Sequence, residues 1–161
     1  MKLINEDITQ DFTSPSLRIH SVNCSGVMGS GVALAYKTKW PQIYTRFKEI
    51  GAGESLLGDL DIIRIDANNY IGNGYGQLYY GKDGTRYADP NAIDTIVHKA
   101  FAWVTLMNNT INSIVENGEL FVLKSPKIAS DLGGLDWDTE VAPIFLKYEE
   151  LFGIESEIYY I

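Results

Sequence analysis

"RIHSVNCSGVMGSGVALAYKTKWP", residues 18–41, carries the information that decides the fold. Residues 18–22 alternate and are rich in β-formers, which predicts a strand. Gly26, Gly29 and Gly31 follow at once. Residues 31–39 then read as a short helix that begins inside the glycine loop. Pro41 suits the first turn of a second helix over 41–50, which Gly51 and Gly53 end. A strand that runs through glycines into a helix can present backbone N–H groups and a helix N-terminus to an anion. The order G-x-x-G-x-G lacks the GK[ST] triplet of a P-loop and is not the G-x-G-x-x-G dinucleotide fingerprint. The alternative is a tight turn that uses glycine for steric reasons alone.

The same alternation continues outward. Residues 60–66 and 69–72 read as strands joined by a polar turn around Asn68. Residues 72–89, rich in glycine and tyrosine, lack periodicity and read as a loop. Asp89-Pro90 looks like an N-cap followed by the first helical residue. Ile93, Val97, Ala100, Phe101, Val104 and Met107 then recur at helical spacing. Residues 119–125 form an apolar run expected to be a strand buried on both faces. Asp138 is placed to cap a last helix with Val141, Ile144, Phe145, Tyr148 and Phe152 inward, and Pro143 early in that helix is tolerated. Residues 156–161 close as a strand. Strands alternating with helices predict an α/β domain whose central sheet is covered on both faces.

The length of 161 residues suits one domain, 1–161, with no linker, repeat or low-complexity segment. The formal net charge of −8 argues against a nucleic-acid polymer or an anionic membrane as partner. No apolar run is long enough to span a bilayer, and the first residues lack the apolar core of a signal peptide. A cytoplasmic protein is expected. The lone Cys24 excludes an intrachain disulfide, and with only His20 and His98 a dedicated metal site is not expected.

Three stretches could carry chemistry. The first is the glycine loop above. The second is "SDLGGLDWD", residues 130–138, again between a strand and a helix, with Gly133 and Gly134 at the turn. Two such loops at the carboxyl ends of strands can face one crevice and suit a diphosphate. Asp136 would then place a carboxylate near that crevice, unless it only serves the helix start. The third is residues 5–10, where Asp7 could accept a hydrogen bond from an exocyclic amine or simply stabilise a turn. His20 could transfer protons near neutral pH or be a satisfied core histidine. Cys24 reads as buried and inert rather than activated. Tyr75, Tyr79, Tyr80 and Tyr87 belong either to a lid that stacks on a ring or to an Ω-loop packed on itself.

In this order, "EDIT", "IHSVNCSGVMGSGVALA" and "SPKIASDLGGLDW" resemble the macro domain family, over nearly the whole chain from Ile4 to Ile161. The nearest branch looks like the ADP-ribose-1''-phosphate phosphatase type found in short bacterial and phage proteins. The resemblance implies a three-layer α/β/α sandwich with a central mixed sheet and an ADP-ribose derivative as small-molecule partner, with no cofactor and a monomeric state. It implies that Asp7 and Ile8 meet the adenine and Asn23 the distal ribose. The phosphates would lie between 26–32, including Gly29, Ser30, Gly31 and Val32, and Ser130, Leu132, Gly133, Gly134 and Leu135. The implied activity is hydrolysis of the terminal 1''-phosphate, with Asp136, His20 and Asn23 as candidate catalytic residues. A binding module, a sequestering protein for an NAD-derived nucleotide and an ADP-ribosyl hydrolase are the alternatives. A related branch uses a lysine after the middle strand and an aspartate in the second loop. This chain has Gln77 and Gly133 there, so that lysine chemistry is not expected. Asp131 stands where the family pattern has glycine.

Overall fold

A computed structural model describes residues 1–10, 12, 14–111 and 119–161. Along the chain lie β1 (Lys2–Ile4), β2 (Ser16–Asn23), α1 (Gly31–Lys39), α2 (Pro41–Ile50), β3 (Leu60–Arg64), β4 (Asn69–Gln77), α3 (Pro90–Ile111), β5 (Val122–Pro126), α4 (Ala142–Phe152) and β6 (Ser156–Tyr159). Among the described residues the strands form one six-stranded sheet in the order β1-β6-β5-β2-β4-β3. Only β3 and β4 pair antiparallel. Their hairpin turns at Asp66, whose Oδ1 accepts the N–H groups of Asn68 and Asn69, both at 2.9 Å. The sheet is therefore mixed and the sandwich has three layers, as expected.

Alternation along β2 assigns the two faces. Leu17 and Ile19 are fully buried in the cluster built on α3 and α4, with Ile93, Ile96, Phe101 and Phe145. Val22 belongs to the opposite cluster, with Tyr36 and Trp40 from the α1 side and Ile43 and Phe47 from α2. Each large apolar side chain so buried contributes about 1.5–3 kcal/mol relative to exposure.

β4 is longer than its sequence suggests. The loop expected from residue 72 onward begins only after Gln77. Its glycines occupy alternate positions on one face, with Gly72 against Leu60 and Ile19, and Gly74 and Gly76 against Ile96 and Ile93 of α3. A Cβ at Gly74 would lie 2.7 Å from Ile96 Cγ2, so the bare backbone is what lets the helix approach. The intervening residues face α2. Tyr75, expected in the loop as part of a lid or of an Ω-loop, is instead a buried ring of that core, stacked on Phe47 at 5.9 Å.

Two further boundaries differ from expectation. Residues 119–121 precede β5, and the N–H and C=O of Phe121 are met by the Asn108 side chain at 2.7 and 3.3 Å rather than by a strand. The last helix is entered through one π turn, Trp137–Val141, and its cap is Asp136 rather than Asp138. Asp136 Oδ1 accepts from the Thr139 N–H at 2.8 Å and from its hydroxyl at 2.9 Å. No helix among the described residues is long and apolar enough to cross a membrane.

Candidate functional site

From β2, in the interior of the sheet, the chain proceeds to β4 on one side and later to β5 on the other. In an open α/β sheet such a divergence leaves a crevice at the carboxyl ends of the strands. Here it is a cleft of about 410 Å³, walled by the segments that follow β2, β4 and β5.

The first wall is residues 27–33, and a register shift between Val22 and Asn23 re-aims the chain into it. Asn23 lines the cleft, but most of its amide serves its own loop. Oδ1 accepts from the N–H groups of Ser25 (3.1 Å) and Val27 (3.2 Å), and Nδ2 donates to the Val27 carbonyl at 2.8 Å. One amide N–H is left over for a ligand. Gly29, Ser30, Gly31 and Val32 line the cleft. Ser30 occupies the N-cap position of α1 without making a side-chain cap bond. The first amides of the helix have no carbonyl partner in their own helix and border the cleft.

The wall after β5 contains Lys127, Ala129, Asp131, Leu132 and Gly133. Ala129 has a φ of 63°, a left-handed conformation uncommon for a residue with a side chain. Ser130, Gly134 and Leu135 support this wall without lining it. The Ser130 hydroxyl donates to the Ile128 carbonyl at 3.1 Å, Gly134 N–H to the Asp131 carbonyl at 3.1 Å, and Leu135 is buried in the α3/α4 core. Asp136 also lies off the cleft, held as the helix cap. The Thr139 backbone N–H, by donating to it, keeps its carboxyl below the usual carboxylate range. The carboxylate on the cleft wall is Asp131.

The third wall, after β4, brings Gln77, Tyr80, Gly81 and Lys82. Gln77 Nε2 donates to the Tyr79 carbonyl at 2.7 Å, which commits its amide to the turn. Sequence reasoning missed Lys82 and Lys127. Both follow the carboxyl end of a strand, the one local signal that could have singled them out. Among the described residues neither ammonium meets a carboxylate, and Lys127 Nζ lies 5.1 Å from the Tyr160 ring centroid. Lys82, Lys127 and Asp131 are exposed.

His20 forms part of the floor and is 1% exposed. Burial lowers its pKa to about 4, although the Asn73 hydrogen bond opposes the shift. The neutral ring donates from Nε2 to Asn73 Oδ1 at 2.5 Å, because Asn73 Nδ2 is turned to the Ile43 carbonyl. Nδ1 is left as a buried acceptor with no hydrogen-bond partner among the described residues.

Asp7 and Ile8 are not on this cleft. Asp7 Oδ1 accepts from Thr9 N–H at 2.9 Å and from its hydroxyl at 2.8 Å, and the Thr9 backbone bond lowers its pKa. Ile8 is buried, and its carbonyl accepts from Arg18 Nε at 3.0 Å. Cys24 is buried, and desolvation pushes its thiol pKa up, as expected of an inert cysteine. Among the described residues no group of three His, Cys, Asp or Glu side chains is placed to hold a metal ion.

This architecture matches solved structures over almost its entire length. A macrodomain protein from Streptomyces coelicolor superposes with a TM-score of 0.75 at 19% identity, covering 99% of this chain and 98% of that one. The macrodomain of Mycobacterium tuberculosis DarG gives 0.72 at 19% identity, covering 98% and 95%. The chain has the macrodomain fold. Thermosipho africanus DarTG, solved in complex with ADP-ribose, gives 0.63 at 20% identity over 91% of this chain and 38% of that one. Among curated proteins, the DNA ADP-ribosyl glycohydrolase of Mycobacterium tuberculosis is 23% identical over 146 residues, 88% of this chain. The chain spans 37% of the length of that relative. No protein-family model matches the sequence.

Proposed function

We propose that the cleft binds an ADP-ribose derivative and hydrolyses the phosphate ester at the 1'' position of ADP-ribose 1''-phosphate. The observation that carries this reading is the pair of lysines. In a chain of net charge −8, Lys82 and Lys127 stand on one cleft wall each, with no carboxylate partner among the described residues. Between them open the glycine loop after β2 and the N-terminus of α1, which suit a diphosphate. Two cations beyond those backbone donors fit a ligand with an additional phosphate.

The chemistry asks little of the protein beyond charge and placement. A water oxygen attacks phosphorus and the bond from phosphorus to the anomeric oxygen breaks. Asp131 takes the proton of the water and returns it to the departing oxygen, leaving ADP-ribose and inorganic phosphate. Lys82, Lys127 and the loop amides stabilise the phosphoryl oxygens. His20, neutral and buried, fixes the floor rather than supplying the base.

Phosphorus NMR tests this directly. ADP-ribose 1''-phosphate should yield free phosphate with the wild type. Asp131→Asn should shift the ligand resonances without releasing phosphate. Lys82→Ala should weaken binding by about tenfold, the loss of one charge-assisted contact of roughly 1.4 kcal/mol. Equal turnover by Asp131→Asn would refute the assignment of the base, and unshifted resonances with the wild type would refute the site.

A second reading, removal of an ADP-ribosyl group, is favoured by one observation. Lys82 and Asp131 put a lysine from the segment after β4 and an aspartate from the second loop on one cleft, although Gln77 and Gly133 occupy the expected positions. The similarity to a DNA ADP-ribosyl glycohydrolase points the same way. Release of free ADP-ribose from an ADP-ribosylated oligonucleotide, with ADP-ribose 1''-phosphate left intact, would decide for it.

A further inference from the structure

The segment that carries Lys82 is fastened to the wall that carries Asp131 from outside the cleft. Arg86 forms a two-pronged pair with Glu140, Nη1 donating to Oε2 at 2.9 Å and Nη2 to Oε1 at 2.5 Å. The same Glu140 Oε2 accepts the backbone N–H of Asp136 at 2.7 Å, at the end of the second glycine loop. Two backbone contacts lie beside this pair. Ala88 N–H donates to the Gly133 carbonyl at 3.0 Å. Gly134, at φ +80°, lies so close to Arg86 that an added Cβ would sit 3.1 Å from its Cα. Gly133 itself lines the cleft, four residues along from Ala129.

We propose that Arg86 and Glu140 are positioning residues, a latch that joins the segment 78–88 to the loop 129–136 and thereby sets where Lys82 stands relative to the bound phosphate. The role of Lys82 in this statement rests on the function proposed above. Neither latch residue touches the cleft. Arg86 is about half exposed and its ion pair, taken alone, belongs to the class of surface pairs that contribute little to global stability. The geometry is what gives it a purpose. A bidentate guanidinium fixes direction as well as distance, and the third bond, from Asp136 N–H, ties that direction to the opposite wall.

Hydrogen exchange and a double-mutant cycle test the latch together. In Arg86→Ala the Ala88 amide and the amides of 129–134 should exchange roughly tenfold faster, while those of α3 and β5 keep their wild-type rates. Arg86→Lys, which keeps the charge but loses the fork, should fall between the two. For binding of ADP-ribose 1''-phosphate, Arg86→Ala should cost about fivefold in the wild type and under about twofold in a Lys82→Ala background, because coupled residues are not additive. Unchanged exchange at Ala88 and 129–134 would overturn the latch whatever the ligand. Faster exchange with fully additive binding losses would overturn its action through Lys82. If the wild type binds no ADP-ribose derivative, the functional reading fails and the exchange rates alone decide the latch.

Discussion

Replacing His20 by glutamine should remove a specific part of the protein's acid sensitivity. His20 is buried and neutral in the fold, with its pKa held at about 4 against an ordinary 6.5. Between these two values the unfolded chain binds a proton that the folded chain refuses. Stability therefore rises with pH across this window and is lost as pH falls from 6.5 towards 4. Each pH unit is worth about 1.4 kcal/mol, so the whole window amounts to about 3 kcal/mol. Below pH 4 the folded chain also takes the proton and the loss stops. The assay is urea unfolding followed by tryptophan fluorescence, at pH 7.5, 6, 5 and 4, on wild type and His20→Gln. Trp40 and Trp137 are nearly buried and report on the two separate cores. The remaining titrating groups act on both proteins and cancel in the difference. The wild type's margin over His20→Gln should shrink by about 3 kcal/mol from pH 7.5 to pH 4. A margin that stays constant across this range would refute the claim that His20 is held neutral.

Three other substitutions test the architecture. Asp136→Ala removes the cap of the last helix and should cost about 1 kcal/mol, read as a drop of roughly 2–4 °C in Tm. Gly74→Val drives a side chain into Ile96 and should destabilise by about 1–3 kcal/mol in urea titrations. Asn108→Ala leaves the backbone of Phe121 without its side-chain partners and should cost about 1–3 kcal/mol, with faster exchange at the Phe121 amide.

Local chemistry made much of this fold readable. Alternation in 18–22, Pro41, Asp89-Pro90 and the apolar stripe from Ile93 to Met107 each name an element without help from the rest of the chain. What escaped depends on neighbours. Glycines at alternate positions of β4 look like loop punctuation until α3 is seen packed against them. Asp138 and Asp136 are equally good caps on paper, and only the π turn decides between them. In the site, the glycine loops were legible because glycine at a strand end has few uses. Lys82 and Lys127 were not, since an isolated lysine in a segment without periodicity is indistinguishable from solvated surface. Ile8 came from the resemblance alone and Asp7 from its place after the first strand as well, and neither is among the residues that line the cleft.

The bonds that the Asn23 amide makes to Ser25 and Val27 fix the first wall before any ligand arrives. Ordering a backbone costs about 1–2 kcal/mol of entropy per residue. For this wall that loss is taken during folding, so it does not recur at each encounter. Calorimetry of binding should then find the entropic penalty concentrated in the segment after β4, and a ligand that touches only the first wall should bind with little of it.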